Sequence, residues 1–362
     1  MKRALKLSQK GKCLTCPNPM VGAVVVKDGQ IIGEGWHHGP GLPHAEIEAL
    51  RACRTDPKGA TMYVTLEPCN HYGRTPPCSE AIIEAGIGKV IYALSDPNPV
   101  AGGGAERLRK AGIKTQMGLG RCEAIEINRK FLYFCLTGRP WVIMKAAMSL
   151  DGKIATAGRE SQWITSERSR KLVHRLRAEV NSVLVGSGTL LADDPQLTNR
   201  MSKTSSRQPL RVLLDSKLQL TRGHRIIGEK PEDLLVFCTA QAPLEKEEEL
   251  RSLGVRVIRQ EGVGRVDLPE AMATLGELGV QSVLVEGGSS AFTSFWESGL
   301  INEYYLFFGP FFIGGDLAPG VLRRGVQSLG EVERLKVESV KKIGPDILVH
   351  AYKEGPQSCL PV

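Results

Sequence analysis

The sequence predicts an α/β fold built as two successive units, and three observations carry that expectation. Short runs of Val, Leu and Ile alternate with segments of helical apolar spacing along nearly the whole chain. The segment Thr137-Gly-Arg-Pro140 interrupts the alternation with the residues that stop helices. The 362 residues exceed the roughly 100–200 of an ordinary single-core domain and suit two. The boundary is therefore set after residue 138, giving units 1–138 and 139–362.

In the first unit an amphipathic helix runs through Leu5 and Leu7, followed by the strand 21–26. Asp28-Gly29 turns that strand into a second one at Ile31-Ile32, a hairpin signal. After the Gly/Pro loop 39–43, residues 44–54 form a helix, 61–66 a strand, and 79–85 a helix ended by Gly86. A strand over 89–94, a charged helix near 106–110, a short strand over 113–116 and a last helix over 123–136 complete the unit. The second unit repeats the alternation without repeating the sequence. Its strands fall at 141–147, 182–185, 210–214, 234–237, 255–258, 282–285 and 304–308, and near-continuous Val/Leu/Ile runs of this kind fit strands of a largely parallel sheet buried on both faces. Residues 335–340 and 347–352, about Gly344-Pro345-Asp346, form an antiparallel hairpin at an edge.

With 42% hydrophobic and 24% charged residues the chain has a globular composition, which excludes disorder, collagen-like repeats and a coiled coil. The longest aliphatic run, Val21 to Val26, is far short of the roughly 20 residues that cross a bilayer, and Lys2, Arg3, Lys6 and Lys10 interrupt any apolar leader near Met1. The cytoplasm is the expected location, with no membrane partner. Net charge is +8 and divides unevenly: residues 1–138 carry 18 Lys and Arg against 12 Asp and Glu, the rest 29 against 27. A basic front half suits an anionic partner, and phosphorylated metabolites and nucleic acid both answer to that. Nine cysteines without a secretory context point to thiols or metal ligands rather than a disulfide framework.

One constellation carries metal chemistry. His44-Ala45-Glu46 opens a helix, the next strand runs into Glu67-Pro68-Cys69, and Cys78 follows after eight residues. Two thiolates and an imidazole make a three-ligand zinc set; catalytic zinc keeps its fourth position for water and lowers that water's pKa toward about 7, whereas structural zinc normally takes four protein ligands. A carboxylate two residues beyond the histidine takes the place of the non-ligand glutamate that moves the proton in zinc deaminases. A lone cysteine is often a small buried hydrophobe and His-x-Glu occurs by chance, but the ordered set favours catalytic zinc on His44, Cys69 and Cys78, with Glu46 as acid/base. Cys13 and Cys16 have no second pair at a suitable spacing and are read as incidental.

His44-Ala-Glu46 and Glu67-Pro-Cys-Asn-His-Tyr-Gly-Arg-Thr-Pro-Pro-Cys78, preceded by Pro17-Asn-Pro-Met-Val-Gly-Ala23, closely resemble the deaminase half of the bifunctional riboflavin-biosynthesis deaminase/reductases. Nucleoside and tRNA deaminases usually have two residues between the cysteines, so the eight here discriminate. By this resemblance Asn18 and His71 lie beside a bound pyrimidine. The likeness continues through Lys145-Ala-Ala-Met-Ser-Leu-Asp-Gly-Lys153, Ser161-Gln-Trp-Ile-Thr165, Val185-Gly-Ser-Gly-Thr189, Ala192-Asp-Asp-Pro195 and Val285-Glu-Gly-Gly-Ser289, which look like the reductase half. It implies a cytidine-deaminase-like three-layer unit followed by a dihydrofolate-reductase-like one.

The residues agree with that implication, since Glu286-Gly-Gly-Ser-Ser290 follows a strand and opens a helix whose free N–H groups suit a dinucleotide's phosphates. No GxGxxG is present, which argues against a standard Rossmann unit. The resemblance implies that Ala147, Trp163, Thr189, Asp193, Ser216, Gly288, Ser289, Ser290, Ala291, Phe292, Thr293 and Ser294 line NADPH. It implies that Ser161, Arg177, Leu197, Arg200 and Glu286 hold the substrate, with Lys145 near its ribose. An arginine suits this role because its planar fork pairs with phosphate. The expected activity is hydrolytic deamination of 2,5-diamino-6-ribosylamino-4(3H)-pyrimidinone 5′-phosphate, then NADPH reduction of its ribosyl side chain to ribityl, by a homo-oligomer that uses Zn2+ and NADPH and binds no nucleic acid. The rivals are a nucleic-acid deaminase, with salt-sensitive binding, and a zinc-stabilised binding protein that releases no ammonia.

Overall fold

The computed structural model describes residues 1–72, 76–98, 100–200 and 208–354. They form two compact units, one of Met1–Gly138 and one beginning at Arg139. Among the described residues no helix is long and apolar enough to cross a membrane.

The first unit runs α1 (Lys2–Ser8), β1 (Gly22–Lys27), β2 (Gln30–Trp36), α2 (Ala45–Arg51), β3 (Thr61–Val64), α3 (Cys78–Glu84), β4 (Lys89–Tyr92), α4 (Gly104–Lys110), β5 (Lys114–Met117) and α5 (Arg121–Thr137). Its sheet has the order β2-β1-β3-β4-β5. β1 pairs antiparallel with β2 and with β3, while β3, β4 and β5 are parallel, as helical crossovers require. The hairpin turns on Asp28 and Gly29, both left-handed at φ 52° and 76°, which matches the twist of paired strands. Alternation decides the layers: Ala23, Val25, Met62, Val64 and Val90 pack on α2, α3 and α4 through Ala49, Ile82 and Leu108. From the opposite face Val24 meets Ala4 and Leu7 of α1. The unit is therefore helix, sheet, helix, as the resemblance implied.

Three elements are shorter than their sequence pattern, among them the strand expected over 89–94, which ends at Tyr92. The helix expected over 44–54 starts at Ala45, with His44 extended as its N-cap, and ends at Arg51. The strand expected over 61–66 ends at Val64, because the chain must leave the sheet to carry Cys69 back toward α2.

The second unit runs β6 (Trp141–Ser149), α6 (Glu167–Ala178), β7 (Ser182–Gly186), α7 (Ser187–Asp193), β8 (Leu210–Leu214), β9 (Leu234–Thr239), α8 (Leu244–Ser252), β10 (Arg256–Gln260), α9 (Leu268–Glu277), β11 (Ser282–Gly287), α10 (Ser289–Glu297), β12 (Glu303–Gly309), β13 (Leu335–Ile343) and β14 (Asp346–Lys353). The nine strands lie in the order β10-β9-β8-β7-β11-β6-β12-β14-β13. β6 to β12 are parallel to their neighbours, and the closing hairpin adds β14 and β13 antiparallel. One face of this sheet carries a core of Met144, Leu184, Val212, Leu235 and Val283, closed by Met272 and Leu275 of α9 and by Phe292 and Phe295 of α10. Inserting β11 between β7 and β6 reverses the direction of winding there, and such a switch point opens a crevice outside the carboxyl ends of the strands.

Candidate active sites

The first site is set by close packing of α2 on β2. A side chain on Gly35 would place its Cβ 2.3 Å from the Ala49 nitrogen and 2.4 Å from the Ala45 oxygen, so only glycine lets the helix lie this near. His44 is thereby fixed at the helix entrance and Glu46 within its first turn, 3% exposed. On the other side, Gly104 sits so close to the Pro68 carbonyl that a Cβ would fall 1.7 Å from its oxygen. Glu67 ties the same turn down, its carboxylate accepting the N–H of Ala105 at 2.9 Å and of Asp96 at 3.3 Å.

These constraints bring the three expected donors together. His44 Nδ1 lies 3.2 Å from Cys78 Sγ and 3.4 Å from Cys69 Sγ, and the ligand atoms of all three fall within 4.8 Å of one another. Zinc bonds of about 2.0–2.3 Å at tetrahedral angles place ligand atoms about 3.5 Å apart, so the set fits that ion. A hydrogen bond with Cys78 carries the Cys69 thiol well below its ordinary value and raises that of Cys78. The Cys78 backbone N–H also donates to Cys69 Sγ at 3.3 Å, which favours a thiolate there. Burial pushes the Glu46 carboxyl up to about 7, the range of a working proton acceptor at neutral pH.

Asn18 donates from Nδ2 to His37 Nε2 at 3.0 Å, and His37 Nδ1 donates to the Pro43 carbonyl at 3.1 Å, a pattern that assigns the neutral Nδ1–H tautomer. Burial lowers the His37 pKa, in keeping with that neutral ring. His37 stands edge-on to His44 with centroids 5.3 Å apart. Sequence reasoning missed it, and only the His37-His38 pair at the end of β2 was there to be noticed. His71 follows Cys69 by two residues, and its buried Nδ1 has no partner among the described residues, the condition expected of an atom that faces a ligand. Asp96, also missed, is pushed up to about 6 by burial.

The second site is a cavity of about 1060 Å³ across the carboxyl ends of the parallel strands. Every residue expected to line it does so except Thr293. Lys145 and Ala147 come from β6, Glu286 from β11, and Thr189 and Asp193 from α7. Ser161 and Trp163 lie between β6 and α6, Arg177 on α6, Leu197 and Arg200 after α7, and Ser216 after β8. Gly288, Ser289, Ser290, Ala291, Phe292 and Ser294 come from the start of α10. Thr293 instead points inward, 4% exposed, where its hydroxyl donates to the Ser289 carbonyl and accepts the Arg323 N–H. It holds the wall rather than forming it.

Arg177 and Glu286 also differ from expectation. The arginine fork meets Glu286 in two bonds of 2.6 and 2.9 Å, and its third nitrogen donates to the Thr198 carbonyl at 2.8 Å. The guanidinium is therefore committed to orienting the carboxylate and is not a free phosphate fork. Burial works to raise the Glu286 carboxyl, but Arg177 and then Lys145 carry it below its ordinary value. Lys145 is itself lowered by burial, against the attraction of Glu286 and Asp193. Ser161 donates to Asp193 at 2.7 Å. His174, which sequence reasoning missed, lines the same wall, and burial with Arg177 and Arg200 nearby lowers its pKa to about 4. Nine lysines and arginines against three acidic residues form the described lining, a charge balance that suits anions. Gly288 opens α10 as its N-cap and leaves the helix's first N–H groups clear, which suits a dinucleotide's phosphates.

A three-donor metal site with a buried carboxylate, followed by a basic cavity at the switch point of a mostly parallel sheet, defines the class: a zinc deaminase joined to a nicotinamide-dependent reductase. Residues 1–94 match the cytidine and deoxycytidylate deaminase zinc-binding region, and residues 140–349 match the RibD C-terminal domain. The chain belongs to the RibD family of riboflavin-biosynthesis proteins. It is 44% identical over 358 residues to RibD of Bacillus amyloliquefaciens, covering 98% of this chain and 96% of that protein. To RibD of Escherichia coli (strain K12) it is 41% identical, with 97% of each covered. RibD of Acinetobacter baumannii, form 1, is similar in structure with a TM-score of 0.89 at 37% identity over 98% of both chains. A Thermotoga maritima protein described as a diaminohydroxyphosphoribosylaminopyrimidine deaminase/5-amino-6-(5-phosphoribosylamino)uracil reductase gives 0.85 at 37% over 98% of this chain and 97% of that one.

Proposed function

We propose that this chain deaminates 2,5-diamino-6-ribosylamino-4(3H)-pyrimidinone 5′-phosphate in residues 1–138 and reduces the ribosyl side chain of the product to ribityl in residues 139–362. The observation that carries the reading is the meeting of His44, Cys69 and Cys78 beside the buried Glu46, in a chain covered almost end to end by RibD proteins. Bound zinc supplies the Lewis acid that makes water a nucleophile at neutral pH. Glu46 accepts the proton released as water adds to the ring carbon and returns it to the departing amine. Asn18, held by His37, and His71, whose Nδ1 has no partner among the described residues, bind the polar edge of the pyrimidine.

In the second cavity bound NADPH would supply the hydride, with C1′ of the ribose as its acceptor. Lys145, attracted electrostatically by Glu286, which Arg177 fixes in place, holds the proton that the opened ribose needs. Asp193 and Ser161, bound to each other, align sugar and cofactor. The remaining cations hold the phosphates. The partner is then a phosphorylated small molecule rather than nucleic acid, acted on in the cytoplasm by a homo-oligomer of this chain; light scattering reads the oligomer. Incubation with the diaminopyrimidine phosphate, with and without NADPH, tests the function by following ammonia and cofactor absorbance separately. Ammonia should appear in both reactions and NADPH should be consumed in one. Lys145→Met should slow only the second step, and reduction at the normal rate would remove Lys145 from it.

A further inference from the structure

We propose that Arg265 is the residue by which this chain distinguishes NADPH from NADH, pairing with the phosphate ester on the 2′-oxygen of the cofactor's adenosine. The inference rests on the reductase reading above. The cavity crosses the carboxyl ends of β6, β11, β7 and β8, from Lys145 and Ala147 at one end to Leu214 and Ser216 at the other. Three strand spacings make about 14 Å, room for two nucleosides about a pyrophosphate. Lys145 and Glu286 mark the reacting end, so the nicotinamide lies over β6 and β11. The pyrophosphate then meets Gly288 and Ser289 at the start of α10, and the adenosine reaches β8. There Leu214, Val266 and Leu268 offer apolar walls, and Ser216 offers a hydroxyl.

The two cofactors differ only in the 2′-phosphate, which needs a cation at the β8 end. Most cations of the cavity are already engaged. Arg225 is bound to Asp194 and the Asp193 carbonyl, Arg323 to Ser289, Arg177 to Glu286 and Lys171 to Glu167, and Arg170 lies over the Trp163 ring. Arg200 is held through its backbone to His174 on α6, beside Arg177 at the reacting end, and Arg159 follows β6.

At the β8 end Arg265 is different from Arg225, which is engaged. It is exposed, lines the cavity and has no hydrogen-bonding or ionic partner among the described residues. Its backbone is nonetheless fixed. The buried Gln260 amide clasps Asp267 through bonds of 3.0 and 2.7 Å, Asp267 caps α9 by accepting the Glu270 N–H at 2.8 Å, and Val266 is anchored in the core. A guanidinium presented free on an anchored loop suits a dianionic monoester, which its planar fork meets with two charge-assisted hydrogen bonds.

Calorimetric titration of the full chain with NADPH, NADH, adenosine 2′,5′-bisphosphate and AMP tests the assignment. The wild-type chain should prefer each 2′-phosphorylated ligand. Arg265→Gln should weaken NADPH and the bisphosphate by about 10- to 100-fold and leave NADH and AMP within about twofold, which also shows that the variant is folded. Arg265→Lys should recover part of the loss. An Arg265→Gln chain with the wild-type NADPH to NADH ratio, an equal loss for NADH, or loss of discrimination in Arg225→Gln instead would overturn the assignment. A wild-type chain that binds both cofactors equally would overturn it too, whereas one that binds neither would overturn the reductase reading itself.

Discussion

In the proposed mechanism Glu46 accepts and returns a proton, the role that suits a carboxylate buried beside the three candidate metal donors. Glu46→Gln keeps the shape and leaves His44, Cys69 and Cys78 untouched, so it should retain zinc while ammonia release falls by about 10²- to 10⁴-fold, the usual worth of a general base. Metal analysis alongside an ammonia assay checks this, and wild-type turnover by the variant would exclude Glu46. His174 makes a different prediction. The folded chain keeps it neutral down to about pH 4, whereas the unfolded chain binds its proton near the ordinary 6.5. Between those values the unfolded state holds more protons, so this group's contribution is complete above about pH 6.5 and is lost as the pH falls toward 4. Thermal midpoints from pH 7 to 4.5 should decline less steeply for His174→Gln than for the wild-type chain. Residues of the first kind were legible in the sequence, because a histidine, a glutamate and two cysteines in order name their own chemistry. His37 and His174 were not, since a single histidine acquires meaning only from the groups folded around it.

At the scale of elements, the deaminase site depends on how closely a few segments approach. Gly104 begins α4 under the Pro68 carbonyl, one residue before Cys69. Gly104→Ala must move either the helix or the ligand turn, so we expect a loss of about 1–3 kcal/mol in stability together with reduced zinc content. Full zinc occupancy at an unchanged melting temperature would show that the turn yields freely. Most elements could be read from periodicity, down to the hairpin at Asp28-Gly29 and the turn at Gly344. Their ends could not. The helix after His44 stops at Arg51 and the strand after Thr61 stops at Val64 because packing, rather than propensity, decides where a chain must leave an element.

At the scale of the whole molecule, the three candidate zinc donors and Glu46 lie in the unit Met1–Gly138, and Lys145, Arg177 and Glu286 lie in the unit that begins at Arg139. A chain cut after Gly138 should therefore leave a zinc-loaded fragment that deaminates without NADPH. A folded, metal-loaded fragment without activity would show that the site needs both halves. Charge along the chain is misleading at this scale. The first 138 residues hold most of the excess positive charge, yet the cavity that gathers nine lysines and arginines belongs to the nearly balanced second unit. The sequence by itself determined the two α/β units, the break between them, the candidate zinc donors and the glycine-rich helix entrance after β11, because each is written in a short segment. The tertiary structure alone decided that β11 inserts between β7 and β6, that Arg177 is given to Glu286, that Thr293 turns inward and that Arg265 has no partner among the described residues. Periodicity records which face of an element is buried, but it carries no signal for the distant element that will cover it or the charge that will meet it.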